Sequence, residues 1–224
     1  MSFHLALCGR RKIAIGSDSR GMLSDGSHVD TLRKSFQAGK RTVCGILGVS
    51  RLGPEIYVAD RISALCALTS LQDSPRELLE AIRDDLAPSL TAIFAERPVP
   101  RGSSAVFSAF VIRRHHEGKV DLLELSFPVI VHGTARTMGD PVVKTQMADT
   151  VPRGVFAYTH GNQAPPNKLH ERLDPDRLSD EAVLSAMDDF FAACESAYGS
   201  VGGPIDVCEI EQSVGFRWVR KKEP

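Results

Sequence analysis

The chain has 224 residues, 42% hydrophobic and 25% charged, with a formal net charge of −1. That is enough apolar surface for one substantial core, and the near-neutral balance gives no electrostatic reason to expect nucleic acid or an anionic membrane as a partner. No apolar run reaches the about 18 residues that a membrane-spanning helix needs, and no signal-like apolar core follows the start, so the expected setting is cytoplasmic.

The stretch "SFHLALC" alternates and is followed by "GRRK" and "IAIGSD", which reads as a hairpin with Gly9 in the turn. "KSFQAGKRTVCGILGVS" reads as another hairpin, turning at "AGKR". From Gly53 the apolar period changes: Ile56, Ala59, Ile62, Leu65, Cys66 and Leu68 recur at helical spacing. A second helix is predicted to start at Ser74, with Pro75 at its first position and Glu77 completing an S-x-x-E capping box, and to kink or break at Pro88. "SSAVFSAFVIRR" and "KVDLLELSFPVIV" are predicted strands joined at "HHEG". Residues 132–177 read as loop-rich, with room for a short helix. "LSDEAVLSAMDDFFAACESAYG" is a strongly amphipathic helix, with Val183, Leu184, Met187, Phe190, Phe191 and Cys194 on one stripe. "GSVGG" ends it, and "PIDVCEIEQSVGFRWVRK" is a closing hairpin. The predicted order is ββββ-αα-ββ-α-ββ, an α+β chain with one domain over 1–224 and no linker or repeat.

Several chemistry-bearing residues have plain readings. The five cysteines (Cys8, Cys44, Cys66, Cys194 and Cys208) lack CxxC spacing and read as buried thiols. His115 and His116 have no third ligand at metal-site spacing, so no metal or other cofactor is expected. "GSVGG" follows a helix and precedes a strand, the reverse of a phosphate loop.

Five positions run in register without a gap: Ser2, then Asp18 and Arg20 in "GSDSRG", Lys34 in "LRKSF" and Gly48 in "VCGILG". "GGPIDVCEI" follows the last long helix. In this the chain resembles the β-subunits of the proteasome and their bacterial relatives among the N-terminal nucleophile (Ntn) hydrolases. The resemblance implies a four-layer αββα sandwich, two antiparallel sheets flanked by helices. It implies that Ser2, exposed once Met1 is removed, is the nucleophile in place of the family's usual threonine. Asp18, Arg20 and Lys34 would support it, and Gly48 N–H would be the oxyanion donor. Gly21, Leu32, Phe36, Ile46 and Ser50 would line the first specificity pocket, and their apolar character favours an apolar residue before the scissile bond.

The implied partners are copies of the chain in a closed ring (two rings stacked face to face), a peptide or unfolded-protein substrate and an ATP-dependent unfoldase. The pattern also departs from the family. The family's aspartate and serine before the Gly-Gly pair fall on Tyr198 and Val201, with Ser200 one position off. Neither "RTMGDP" nor "YTHGNQ" supplies the serine of its Gly-Ser-Gly turn. Two further readings therefore stand beside the peptidase: a catalytically inactive ring or scaffold subunit, and a small-amide hydrolase on the same fold.

Overall fold

The computed structural model describes residues 3–22, 28–53, 55–72, 74–99, 104–150, 154–159 and 174–221. Strands β1 (Phe3–Cys8) and β2 (Lys12–Ser17) form the first hairpin. A two-residue ribbon follows, β3 (Gly21–Met22) with β4 (His28–Val29). Then come β5 (Ser35–Gly39) and β6 (Thr42–Gly48), helices α1 (Val58–Ala67) and α2 (Pro75–Glu96), and strands β7 (Ala105–Arg114) and β8 (Val120–His132). Strands β9 (Ala135–Met138), β10 (Val142–Thr150) and β11 (Gly154–Thr159) precede α3 (Asp180–Tyr198) and the closing hairpin β12 (Asp206–Glu211) and β13 (Gly215–Arg220). All strand pairs are antiparallel.

The strands make two main sheets, ordered β11-β1-β2-β12-β13 and β10-β8-β7-β6-β5, with β9 added to β8. Three apolar clusters show how they pack. Ala6, Ile13, Ile15 and Cys208 of one sheet meet Val43, Leu47, Phe110 and Ile112 of the other. Phe3, Leu5, Leu7 and Ala14, on the opposite face of the first sheet, pack on Val183, Met187, Phe190 and Phe191 of α3. Phe36, Ile46, Phe107 and Leu125, on the opposite face of the second, pack on Ile62 of α1 and Leu79, Ile82 and Leu86 of α2. This explains why "FHLALC" is apolar almost throughout: all six residues of β1 are buried, so both faces need apolar side chains.

The loop-rich reading of 132–177 is corrected by β9, β10 and β11, and no α-helix lies among its described residues. The reason it escaped is local. β10 is an edge strand whose pairing with β8 shifts between Thr145 and Met147 and again between Met147 and Thr150. Such bulges break period-two alternation, and an edge strand needs little apolar surface. The capping box at Ser74 is also absent: Ser74 occupies the N-cap, but its hydroxyl makes no capping bond. At φ −117° and ψ 76° the Ser74 backbone is outside the extended region that Ser179 occupies, and only its carbonyl joins the helix, accepting Leu78 N at 3.0 Å. Pro88 does not interrupt α2; it sits on the exposed face, where water can satisfy the carbonyl left without its helical donor. In α3, Ser179 does cap, accepting from Ala182 N at 3.3 Å, and left-handed Gly199 (φ 59°) ends the helix.

At the far end of β2 the hairpin turns are tied together. Arg114, fully buried, donates to the carbonyls of Gly9 and Arg10, and Arg41 donates to Gln212 O at 2.9 Å. The Asp176 carboxylate accepts from the backbone N–H groups of Arg10, Arg11 and Lys12 at 2.6, 2.7 and 3.2 Å. No helix among the described residues is long and apolar enough to cross a membrane.

Gly45 carries the spacing between the sheets. A Cβ there would lie 2.2 Å from the Phe110 ring, which crosses over Gly45 to meet the His4 ring edge-on at 4.9 Å. Gly45→Val should therefore push Phe110 off His4 and cost about 1–3 kcal/mol, read as a lower urea midpoint at unchanged slope.

Candidate active site

The site is built where the end of β2 in one sheet meets the start of β5 in the other. Register in the first hairpin places His4 opposite Ser17, so Phe3 and Asp18 come together at its open end. Phe3 N donates to Asp18 Oδ1 at 2.9 Å. Lys34, the residue before β5, donates from Nζ to Asp18 Oδ2 at 2.7 Å and to the Arg20 carbonyl at 2.6 Å. Asp18 is 0% exposed and Lys34 5%. Burial pushes the Lys34 ammonium below its ordinary lysine value, and the charge and hydrogen bond of Asp18 oppose that push.

Two further contacts cross between the sheets beside this pair. Ser35 Oγ donates to Ser17 Oγ at 3.0 Å, and the buried His4 ring meets Ile46 O through Nε2 at 3.0 Å. Ile46 N in turn donates to Lys34 O at 2.9 Å. His4 thus fastens the strand that begins at Phe3 to β6, which carries Gly48 two residues beyond Ile46. Gly48 has φ 101° and ends the strand, a backbone turn that glycine makes without strain.

Arg20 gathers three chain segments. Its guanidinium grips the Asp30 carboxylate with two bonds of 2.8 and 3.0 Å, pairs with Glu195 of α3 at 2.9 Å, and donates to Gly199 O and Val201 O at 2.9 and 3.3 Å. The Asp30 carboxyl is held below its ordinary value, first by the Arg20 hydrogen bond. Gly202 O accepts from the backbone of both Ser19 and Arg20. Gly203 has φ 75°, and a Cβ there would lie 2.5 Å from Ser19 Oγ, so the Gly-Gly pair lets the 202–203 backbone close onto Ser19 and Asp30.

The structure therefore brings Asp18, Lys34 and the Arg20 backbone into direct contact. Ser2 lies outside the described residues; Phe3, its chain neighbour, is hydrogen-bonded to Asp18. Among the specificity candidates, Gly21 and Leu32 touch, a Gly21 Cβ falling 2.2 Å from Leu32 Cδ1. Phe36 and Ile46 share the core beneath α1 and α2 at 4% and 6% exposure. Ser50 is half-buried, and its carbonyl accepts from Val58 N at the start of α1. A cavity of about 570 Å³, lined by Arg11, Lys12, Asp176 and Gln212 among others, lies at the other end of β2 and is separate from this cluster.

Sequence reasoning missed His4, Asp30 and Glu195. Each lies inside an ordinary pattern: an alternating strand, a polar turn and the solvated face of a helix. The one available signal was that Arg20 needs an acid. No family model matches the chain, and no curated protein is significantly similar to it in sequence.

Asp18 is the only carboxylate bonded to the Lys34 ammonium among the described contacts. Asp18→Asn should cost about 3–5 kcal/mol by stranding a buried cation. It should also lower the Lys34 titration further below the ordinary lysine value, followed as the side-chain carbon shift by NMR. The sign for stability is fixed. Between a lowered folded value and the unfolded one the unfolded chain holds more protons, so this group adds stability as pH rises through that window.

Proposed function

We propose that the chain is a proteasome-like Ntn hydrolase, a four-layer αββα sandwich that cleaves peptide bonds with Ser2 after Met1 is removed. The observation that carries this reading is the buried Lys34 ammonium, held by an aspartate whose other oxygen accepts the backbone N–H of Phe3. A cation shielded from water is thus linked, through Asp18, to the backbone of the residue that follows the proposed nucleophile in sequence.

The chemistry follows from what each group holds. Serine attacks a carbonyl only when a base takes its proton. A free α-amino group titrates at about 7.7–8, close to ideal for that task at neutral pH, and the N-terminal residue would carry it. The positive charge of Lys34 lowers the cost of alkoxide character on the serine oxygen and disfavours protonation of the amine. Gly48 N–H would stabilise the oxyanion, a contribution of about 3–4 kcal/mol for a well-placed donor. Gly21, Leu32, Phe36, Ile46 and Ser50 would select an apolar residue before the scissile bond. A closed ring of subunits, single or stacked, would keep folded proteins from the site, and an ATP-dependent unfoldase would supply extended chain.

One observation favours the inactive-subunit reading instead. Tyr198 stands where the family alignment puts a supporting aspartate, and its ring is stacked on Phe3 at 5.6 Å.

Ser2→Ala separates the two. Under the hydrolase reading it removes cleavage of a fluorogenic peptide panel by at least about 10³-fold and leaves the oligomer intact. Lys34→Ala should be nearly as damaging, and Ser2→Thr should keep or raise the rate by restoring a β-branched side chain with restricted χ1. Wild-type rates in both Ser2→Ala and Lys34→Ala would remove the assignment. Intact mass of the purified protein reports whether Met1 is lost, and native mass spectrometry reports the ring; a species of monomer mass at micromolar concentration argues against the compartment.

A further inference from the structure

We propose that Asp30 is a positioning residue of the site, holding the Arg20 backbone carbonyl against the Lys34 ammonium; only its kinetic readout rests on the hydrolase reading above. Two acceptors fix Lys34 Nζ among the described residues, Asp18 Oδ2 at 2.7 Å and Arg20 O at 2.6 Å. They are held in different ways. Asp18 follows directly on β2 and is bonded to Phe3, so the five-stranded sheet places it. Arg20 lies beyond the strand, in a segment that neither main sheet pairs.

The Arg20 backbone N–H is held by Gly202 O at 3.0 Å, and Asp30 adds the constraint on the Arg20 side chain. Its carboxylate holds Arg20 Nε and a terminal nitrogen with two bonds of 2.8 and 3.0 Å, a fork that fixes direction as well as distance. Its own carbonyl accepts Ser19 Oγ at 2.8 Å, and Leu32 N donates back to Ser19 O at 3.1 Å. Segments 18–20 and 30–32 are therefore laced together at Ser19, and on the other side of Arg20 Gly21 pairs with Val29. The other partners of the guanidinium are the neutral carbonyls of Gly199 and Val201 and the Glu195 carboxylate, whose side chain is 49% exposed. Without the Asp30 charge, Arg20 turns toward Glu195, and its carbonyl loses the register that meets Lys34. Asp18, Asp30 and Arg20 are the charged groups that act on Lys34: both acids favour its charged form and Arg20 disfavours it.

The test is Asp30→Asn in the full chain, with the Lys34 side-chain carbon followed through a pH titration by NMR. The Lys34 midpoint should fall, while peptide hydrolysis loses about tenfold to a hundredfold in kcat with KM little changed, as misplacement of a catalytic group does. Asp30→Glu keeps the charge and displaces the fork. A midpoint below wild type in that variant supports positioning, and a wild-type midpoint there overturns it in favour of a simple field effect. Asp30→Glu also decides the matter alone if Asp30→Asn fails to fold. An unchanged midpoint in folded Asp30→Asn overturns the proposal whatever the activity. If the midpoints shift in both variants while wild type cleaves nothing, Asp30 still positions Lys34 and the hydrolase reading is what fails.

Discussion

One carboxylate holds the candidate site together. Asp18 is closed to water and uses its two oxygens on different partners, the backbone N–H of Phe3 and the ammonium of Lys34. A buried carboxylate is tolerable only when such partners replace its water, and a buried ammonium only when an anion stands beside it. The start of one sheet and the start of β5 in the other are consequently locked to the same group. Ser17 with Ser35 and His4 with Ile46 repeat the arrangement with neutral hydrogen bonds across the same junction.

The two ends of the sheet pair are joined by unlike means. At the site end the sheets meet through a charged pair flanked by hydroxyl and imidazole contacts. At the other end the terminal nitrogens of the buried Arg114 donate to carbonyls, and the Asp176 carboxylate accepts from backbone N–H groups. There each charged side chain is bonded to backbone groups, whereas at the site end side chains bond to one another as well as to backbone, so a substitution at the site end also strands its partner side chain. The apolar layer between them, centred on Phe110 and Gly45, sets how far apart the sheets stand and so how Ile46 faces His4.

Much of this is legible in the sequence, for identifiable reasons. The hairpins at β1–β2, β5–β6 and β12–β13 announce themselves by apolar runs broken at Gly9, Lys40 and Ser213. The third helix is given by one apolar stripe between Ser179 and Gly199. The family resemblance singled out Asp18 and Lys34, two residues that the fold brings into contact. What could not be read depends on neighbours far away in the chain. The bulges of β10 are defined by β8, the partner it pairs with. Asp30 and Glu195 look like solvated acids until Arg20 is folded between them. His4 is one residue in an alternating strand, and only the other sheet gives its ring a partner. The Ser74 capping box shows the opposite error: a correct local pattern whose serine takes the N-cap place without making the capping bond.

The sheet topology also sets an order of events during synthesis. The six-stranded sheet draws on a continuous stretch, β5 to β10, and is complete by Thr150. The five-stranded sheet takes β1 and β2 from early in the chain and β11, β12 and β13 from after β10. The Asp18–Lys34 pair spans 16 residues and is available early, whereas the bond from Arg20 to Gly199 spans 179. A nascent chain therefore makes the ion pair while β2 still lacks β12 and while α3, the cover over Phe3 and Leu5, is unmade. Until the last helix and hairpin emerge from the ribosome, the Arg20 guanidinium lacks Glu195, Gly199 and Val201. The contacts that hold Arg20 to Glu195, Gly199 and Val201 come from the C-terminal part of the chain, so a truncated or stalled chain carries Asp18 and Lys34 without them.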